Sequence, residues 1–485
     1  MFTIAGLILQ SCASNIEPEE ITPTITQPLI TSTVSTSTDP GLILDNHTIK
    51  YTTQAGDTLI TLALRFGIPV NDIVIPEGIT PPGNNTLLPI GLELDIPERF
   101  TETTTSAWLI PDSEVIFSAS ASDFDIKGYL DQNGGYLSQF YETIWKSTPV
   151  SGADAVSTVA VQNSINPRLL LALLEYRSGC VLGELKPGID PLNLADHKEE
   201  YYRGLYRQLM WLVEHLNDGY YGWRSGAITE ITYPDGSTKR LAPKLNAGTV
   251  ALMNLFSQMY DEAEWRQHLA MRSGFPALYA QMFGDPWERA EEVEPIYKAD
   301  LTQPQLSLPY MPGHTWSFTG GPHSAWEKHG PEAAIDLNPG GYGNSCDPPE
   351  EWVVAVASGR VARIEPGVLL LDLDGDGDEN TGWVILYVHL LSNYDIEVGD
   401  WLEQDTIIGF PSCLGGPATS AHIHIARKYN GEWMLAGGPV PLNLDGWVVS
   451  DLPGVYLGLM SKDGKTIKSC TCGTADTLIT RPRDE

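Results

Sequence analysis

Cationic side chains are scarce in this sequence: Lys and Arg number 29 against 62 Asp and Glu, leaving a net charge of −33. Such a surface repels a phosphate backbone, so nucleic acid is excluded as a partner. Long apolar runs are missing too. Beyond the first residues no stretch stays apolar for the ~18 residues that a membrane-spanning helix needs. Cysteine is sparse, with six residues (Cys12, Cys180, Cys346, Cys413, Cys470 and Cys472), and none stands in the C-x2-C spacing of a structural zinc site. Charged residues make up only 19% of the chain, while Gly and Pro number 46 and 35. That balance excludes a coiled coil or a disordered acidic chain, and 485 residues suffice for about three domains of roughly 150 residues each. The expected class is multidomain α+β.

The opening segment, MFTIAGLILQSC, is apolar but too short to cross a bilayer. It closes on Leu9-Gln10-Ser11-Cys12, which resembles a bacterial lipoprotein signal. The resemblance implies that residues 1–12 are a signal segment, that the protein is exported to the cell envelope or beyond, and that Cys12 is lipidated. Membrane contact would then run through the lipid alone. Residues 13–46 are rich in Thr, Ser, Pro and Glu with no core-forming period, and read as a tether.

Between residues 47 and 98 the pattern is that of a small folded unit. Ile49 to Thr53 reads as a strand, Gly56-Asp57-Thr58 as a turn and helix cap, and Leu59, Leu62, Ala63 and Phe66 recur at helical spacing until Gly67. A second short helix around Val70 to Ile75 and a strand Leu92 to Ile96 complete a βααβ order. These residues, from YTTQAGDTL through RFGI to LPIGLELDIP, resemble a LysM domain. The resemblance implies binding of N-acetylglucosamine-containing glycans through Gly56, Asp57, Thr58 and Leu59 and through the loop around Ile79 to Gly83.

After a linker at 99–123, residues 124–296 read as a mostly helical domain. Asn166-Pro167 is an N-cap and first-turn signal, and YPDGS (233–237) is a hairpin turn. NPRLLLALLEYRSG is similar to a piece of a lytic transglycosylase, with Glu175 as general acid, but Tyr176-Arg177 stand between it and the serine that directly follows the acid in that family, which favours a helical spacer with Glu175 partly exposed.

From about residue 297 to 460 the chain turns to strands. In SAHIHIA, Ala421, Ile423 and Ile425 alternate with Ser420, His422 and His424, so a strand places both imidazoles on one face. In WVILYVHLL, Val384, Leu386, Val388 and Leu390 define one apolar face and leave His389 on the other with Ile385 and Tyr387. The apolar AAIDL holds one carboxylate, Asp336, which needs a partner or a metal when buried. His323 and His329 lie just upstream. A catalytic zinc takes about three His or carboxylate ligands and keeps one position open.

Together these pieces, a His before an Asp, Y-V-H-L and H-I-H, resemble the lysostaphin-type zinc metallopeptidases, as do WVVAVASGRVARIE and VGDWLEQDTIIGFPSC. The resemblance implies an antiparallel β-sheet peptidase domain, Zn2+ held by His323, Asp336 and His424, and His389 and His422 acting on the water and the scissile carbonyl. It implies hydrolysis of peptide bonds in peptidoglycan. A non-catalytic regulator of another wall hydrolase is the alternative. The thirteen-position gap from His323 to Asp336 is longer than the family's usual three, so an inserted loop must fold back; His323 is preferred over His329 because FTGGPH ends a strand.

Asp372, Asp374, Asp376 and Asp378 alternate with glycine and Leu373 in a turn able to hold Ca2+, or form a solvated hairpin tip. Cys346 and Cys413, which flank the candidate catalytic segment, are a possible disulfide in an exported chain, with buried thiols as the alternative. Residues 461–485 read as a C-terminal tail.

Overall fold

The computed structural model describes residues 47–143, 149–298, 300–326, 330–340, 345–347, 349–393 and 395–483. The signal and tether segments, with Cys12, and the alternative ligand His329 lie outside them.

The strand Thr48–Thr52 pairs antiparallel with Glu93–Pro97, Tyr51 facing Leu94. Between them runs the helix Leu59–Phe66, closed at its start by a capping box in which the Thr58 hydroxyl accepts from Thr61 N–H and the Thr61 hydroxyl from Thr58 N–H. Tyr51, Leu62, Phe66, Leu94 and Ile96 form its core. The second helix expected around Val70–Ile75 is only the 3-10 turn Val70–Asp72. Val74 instead bridges Asp95, exchanging two backbone hydrogen bonds of 2.9 and 3.1 Å that a helix would have used internally.

The glycan contacts expected at Gly56, Asp57, Thr58 and Leu59 need correction, because all four are buried. Asp57 accepts from the Tyr51 hydroxyl and Gln54 N–H, both at 2.7 Å, and pairs with Arg65 at 2.7 Å. Arg65 in turn donates to Trp223 O of the helical body at 2.9 Å. Gly56, at φ +86°, lies against Arg224 and Tyr297, where a Cβ would meet Arg224 Nη1 at 2.6 Å. The turn is an internal joint.

The helical body is built on Gly152–Asn163, Pro167–Ser178, Leu205–Ser225 and Ala247–Ser257. Asn166 caps the second, its side chain accepting from Arg168 N–H at 2.9 Å, and Gly179 at φ +73° ends it. Glu175 is occupied structurally: one carboxylate oxygen accepts from both Val181 and Leu182 N–H at 2.9 Å.

The main sheet is antiparallel throughout its central path, in the order 401–402, 359–365, 367–372, 383–392, 423–429, 332–338, 315–324, 478–480. Both faces are covered. Ile335, Leu337, Ile385, Tyr387, Ile423 and Ile425 enter one core. On the other face Ala334, Leu370, Val384, Leu386 and Ala426 join Leu216, Tyr220 and Trp223 of the helical body in a single core. The expected division at 296–297 is thus a change of element type with a shared interior, because a sheet with two apolar faces needs a layer on each. The expected tail is corrected too. Leu478–Thr480 pairs with Thr315–Ser324 in the main sheet, and Ile467 and Ile479 are buried.

A polar cluster threads this shared interior. Arg224 donates to Asp112 at 3.0 Å and Glu432 at 3.1 Å, while Glu432 also accepts from the hydroxyls of Tyr220 at 2.8 Å and Tyr297 at 2.6 Å. Nearby, Glu294 accepts from Ser113 N–H at 2.8 Å. Burial, aided by the negative charge of Asp112, pushes the Glu294 carboxyl up to about 7. The folded state therefore keeps a proton that the unfolded chain, titrating near 4.5, gives up earlier, so stability falls as pH rises through that window. Glu294→Gln is expected to flatten the decline in urea midpoint between pH 5 and 7.5; an unchanged slope contradicts this.

Candidate metal centre

Four neighbouring strands set the centre in one row. Val388 faces His424, His424 faces Asp336, and Asp336 faces Gly320. The long gap between His323 and Asp336 is a hairpin: Thr315–Ser324 and Glu332–Asn338 run antiparallel, with register shifts on both sides of Gly320 that carry His323 onto the same site. Gly320 is required by close approach, since a Cβ there would stand 2.5 Å from Asp336 Oδ2.

His389 reaches the site by a different route from the expected alternation. Val384, Leu386 and Val388 lie in the core shared with the helices, but Leu390 lies with Ile385 and Tyr387 in the other. The phase changes at a β-bulge: Gly367 pairs with Leu390 and Val368 with Val388, leaving His389 as the extra residue at φ +62°. The carbonyl of His389 accepts from both the N–H and the hydroxyl of Ser412, at 2.6 and 3.0 Å, which holds this uncommon conformation. Its ring lies 4.4 Å from that of His422, centroid to centroid.

Each imidazole is tied by one nitrogen to a main-chain carbonyl. His323 Nδ1 bonds Gly321 O at 2.8 Å, His424 Nε2 bonds Ala325 O at 3.1 Å, His422 Nδ1 bonds Ser420 O at 2.8 Å and His389 Nδ1 bonds Leu414 O at 2.8 Å. A carbonyl only accepts, so in each neutral ring these nitrogens carry the proton and the opposite nitrogen keeps the lone pair. The lone pairs converge. His323 Nε2 and His424 Nδ1 are 3.0 Å apart, and they stand 3.2 and 3.3 Å from Asp336 Oδ1. His422 Nε2 is 3.6 Å from the same oxygen.

Asp336 Oδ1 is buried and accepts no hydrogen bond. Burial resists ionisation of this carboxyl, but the surrounding imidazoles, His323 foremost, outweigh it and hold the group well below the usual carboxylate range. Two imidazole nitrogens and a carboxylate oxygen thus face one another within 3.3 Å, an arrangement that a cation satisfies in place of the protons they otherwise share. Their ligand atoms lie within 4.8 Å of one another, and two imidazoles with one carboxylate suit a divalent ion such as zinc with an open position. The residues fit the metal. Burial is the main cause that pushes His389 down to about 3, so the ring is neutral at neutral pH.

The row opens into a cleft of about 670 Å3 whose walls include Trp326, Asn338, Thr419, Tyr456 and Cys472. Tyr456 gave no signal in the sequence, yet its ring stacks on His323 at 4.3 Å and 23° and restrains that ligand. Cys346 and Cys413 are joined, tying the segment that supplies Leu414 O to residue 346. Cys470 and Cys472 form a second disulfide beside the cleft. The acidic turn stands elsewhere. Asp372, Asp374 and Asp376 cluster, while Asp378 is outside that group. Asp372 accepts from the N–H of Asp374 and Gly377, Asp376 from that of Asp378, and Asp378 from that of Asn380.

Residues 108–297 match the family model described as LasA, N-terminal domain. Among solved structures, the chain is similar to the M23 metalloprotease pseudoalterin from the deep sea, with 20% identity, 35% of this chain and 96% of that one covered, and a TM-score of 0.30. It is similar to the catalytic domain of the antimicrobial peptidase lysostaphin from Staphylococcus simulans, with 24% identity, 25% and 83% covered, and a TM-score of 0.18. For Csd3 of Helicobacter pylori the figures are 17%, 33% and 36%, and 0.19. No curated protein matches the chain.

Gly320→Ala tests the packing behind the centre. The added methyl is expected to displace the Asp336 carboxylate and weaken zinc binding by about 10–100-fold, read by competition with a chelating dye, with the far-ultraviolet dichroism unchanged. Unaltered affinity contradicts the close approach.

Proposed function

We propose that this protein is a zinc-dependent endopeptidase that hydrolyses peptide bonds in the stems or cross-bridges of bacterial peptidoglycan. The observation that carries the reading is the convergence of His323 Nε2, His424 Nδ1 and Asp336 Oδ1, with His389 and His422 beside them and a cleft leading to all five. The motif resemblance to lysostaphin-type peptidases supplies the substrate class.

When bound, zinc supplies Lewis acidity that polarises a carbonyl and acidifies water. His323, Asp336 and His424 would hold it, and their own contacts leave little freedom to move. The proton on Nδ1 of both His389 and His422 is committed to a carbonyl, so each presents Nε2 as an acceptor toward the cleft. Nε2 of one ring is suited to take the proton of the attacking water, and a ring so protonated can pass it to the departing amine. Asp336 adds one negative charge against a divalent ion, so the centre stays electrophilic.

Residues 47–98, by their LysM resemblance, support a location on the wall, and the lipoprotein-like start supports export and a lipid anchor at Cys12. Holding one chain on an insoluble polymer raises its effective concentration at the bonds it cuts.

His389→Ala is the test. Incubated with purified sacculi, the variant is expected to bind zinc as the wild type does and to release muropeptides at least about 100-fold more slowly. Equal release, or release that survives removal of zinc, contradicts the proposal.

A further inference from the structure

The Gly56–Leu59 turn is closed against the helical body, and an open cleft lies directly beside it. It measures about 570 Å3 and lies between residues 47–98 and the helical body, with Lys50, Gln54, Ile90, Trp108, Lys244 and Glu294 in its walls. Clefts at such junctions are common ligand sites.

Trp108 is the feature that points to a ligand. Its indole N–H donates to Lys244 O at 2.9 Å, and its ring stacks on Trp287 with centroids 6.1 Å apart and planes 27° from parallel. Though held twice, it remains 40% exposed. Its one donor is committed, so the ring has only apolar surface to offer, and because it is already fixed little conformational freedom is lost when something lies on it.

The walls around the ring are polar and of both signs. Lys50 pairs with Asp95 at 2.8 Å and Glu93 at 3.3 Å, Lys244 donates to Lys50 O at 3.3 Å, and Gln54 donates to Lys244 O at 3.2 Å. Glu294, which accepts from Ser113 N–H, also lines the cleft. A polyanion would meet carboxylates here, and an acyl chain would strand the ammonium and amide groups. A pyranose suits both features, with a C–H face for the indole and a rim of hydroxyl and amide groups for the walls.

We propose that this cleft binds a segment of amino-sugar glycan, one ring stacked on Trp108 and its hydroxyl and acetamido groups directed to Lys244, Gln54 and Glu294. The choice of an amino sugar rests on the peptidoglycan reading; the stacking site does not.

The full chain is to be titrated by calorimetry with a soluble oligosaccharide of β-linked N-acetylglucosamine. The wild type is expected to bind, and Trp108→Ala to bind at least about tenfold more weakly. Trp108→Phe should retain most of the affinity, and Lys244→Met, at the wall, should lose part of it with the fold intact by dichroism. Cleavage of a soluble wall peptide should be the same in all four proteins. Wild-type affinity in both Trp108→Ala and Lys244→Met, or no binding by the wild type, overturns the proposal. If sacculi are cut but the oligosaccharide does not bind, this inference fails and the peptidase reading stands; if it binds through Trp108 while sacculi stay intact, the reverse holds.

Discussion

The constraint behind this structure is the fastening of four imidazoles to main-chain carbonyls. Gly321, Ala325, Ser420 and Leu414 each take one ring N–H, and each of those bonds decides which nitrogen keeps its lone pair. A histidine left free would offer either nitrogen and rotate to avoid its neighbour. Fastened, His323 and His424 must hold their second ring nitrogens 3.0 Å apart beside a buried carboxylate oxygen, with at most one proton to share in the neutral rings. That is an unfavourable arrangement for a protein alone and a favourable one for a protein with a divalent cation.

The sheet makes the fastening possible, and the helical body makes the sheet possible. The strand 423–429 sits between 383–392 and 332–338, so the sheet registers fix the spacing of Val388, His424 and Asp336. The face carrying the ligands continues into Leu386 and Ala426, which are buried under the helices rather than exposed. Arg224 closes this contact by joining Asp112 of the linker to Glu432 of the sheet, while Tyr220 and Tyr297 satisfy the same carboxylate. Removing the helical layer would expose the apolar face of the sheet and take from Glu432 its Arg224 and Tyr220 partners.

Much of the architecture was legible because periodicity and punctuation carry it. Asn166-Pro167 and Gly179 bound a helix, YPDGS makes a hairpin, and the alternation in SAHIHIA puts Ile423 and Ile425 on one face and His424 on the other. What the sequence hides is phase and closure. A single bulged residue, His389, reverses the alternation for Leu390, and nothing in WVILYVHLL announces it. The turn at Gly56–Leu59 has the composition of an open loop, yet tertiary contact with Trp223, Arg224 and Tyr297 seals it. A strand as short as Leu478–Thr480 is too brief to show a period, and Tyr456 sits on His323 through a backbone at φ +67° that no local pattern signals.

The central claim is that one divalent ion sits among His323, Asp336 and His424. Anomalous diffraction at the zinc absorption edge from crystals of the zinc-loaded full chain tests it most directly. The account predicts a single strong peak within bonding distance of His323 Nε2, Asp336 Oδ1 and His424 Nδ1, with His389 and His422 near it but unbonded. A peak held by other residues, or these three side chains ordered as described with no peak among them after loading, would contradict it.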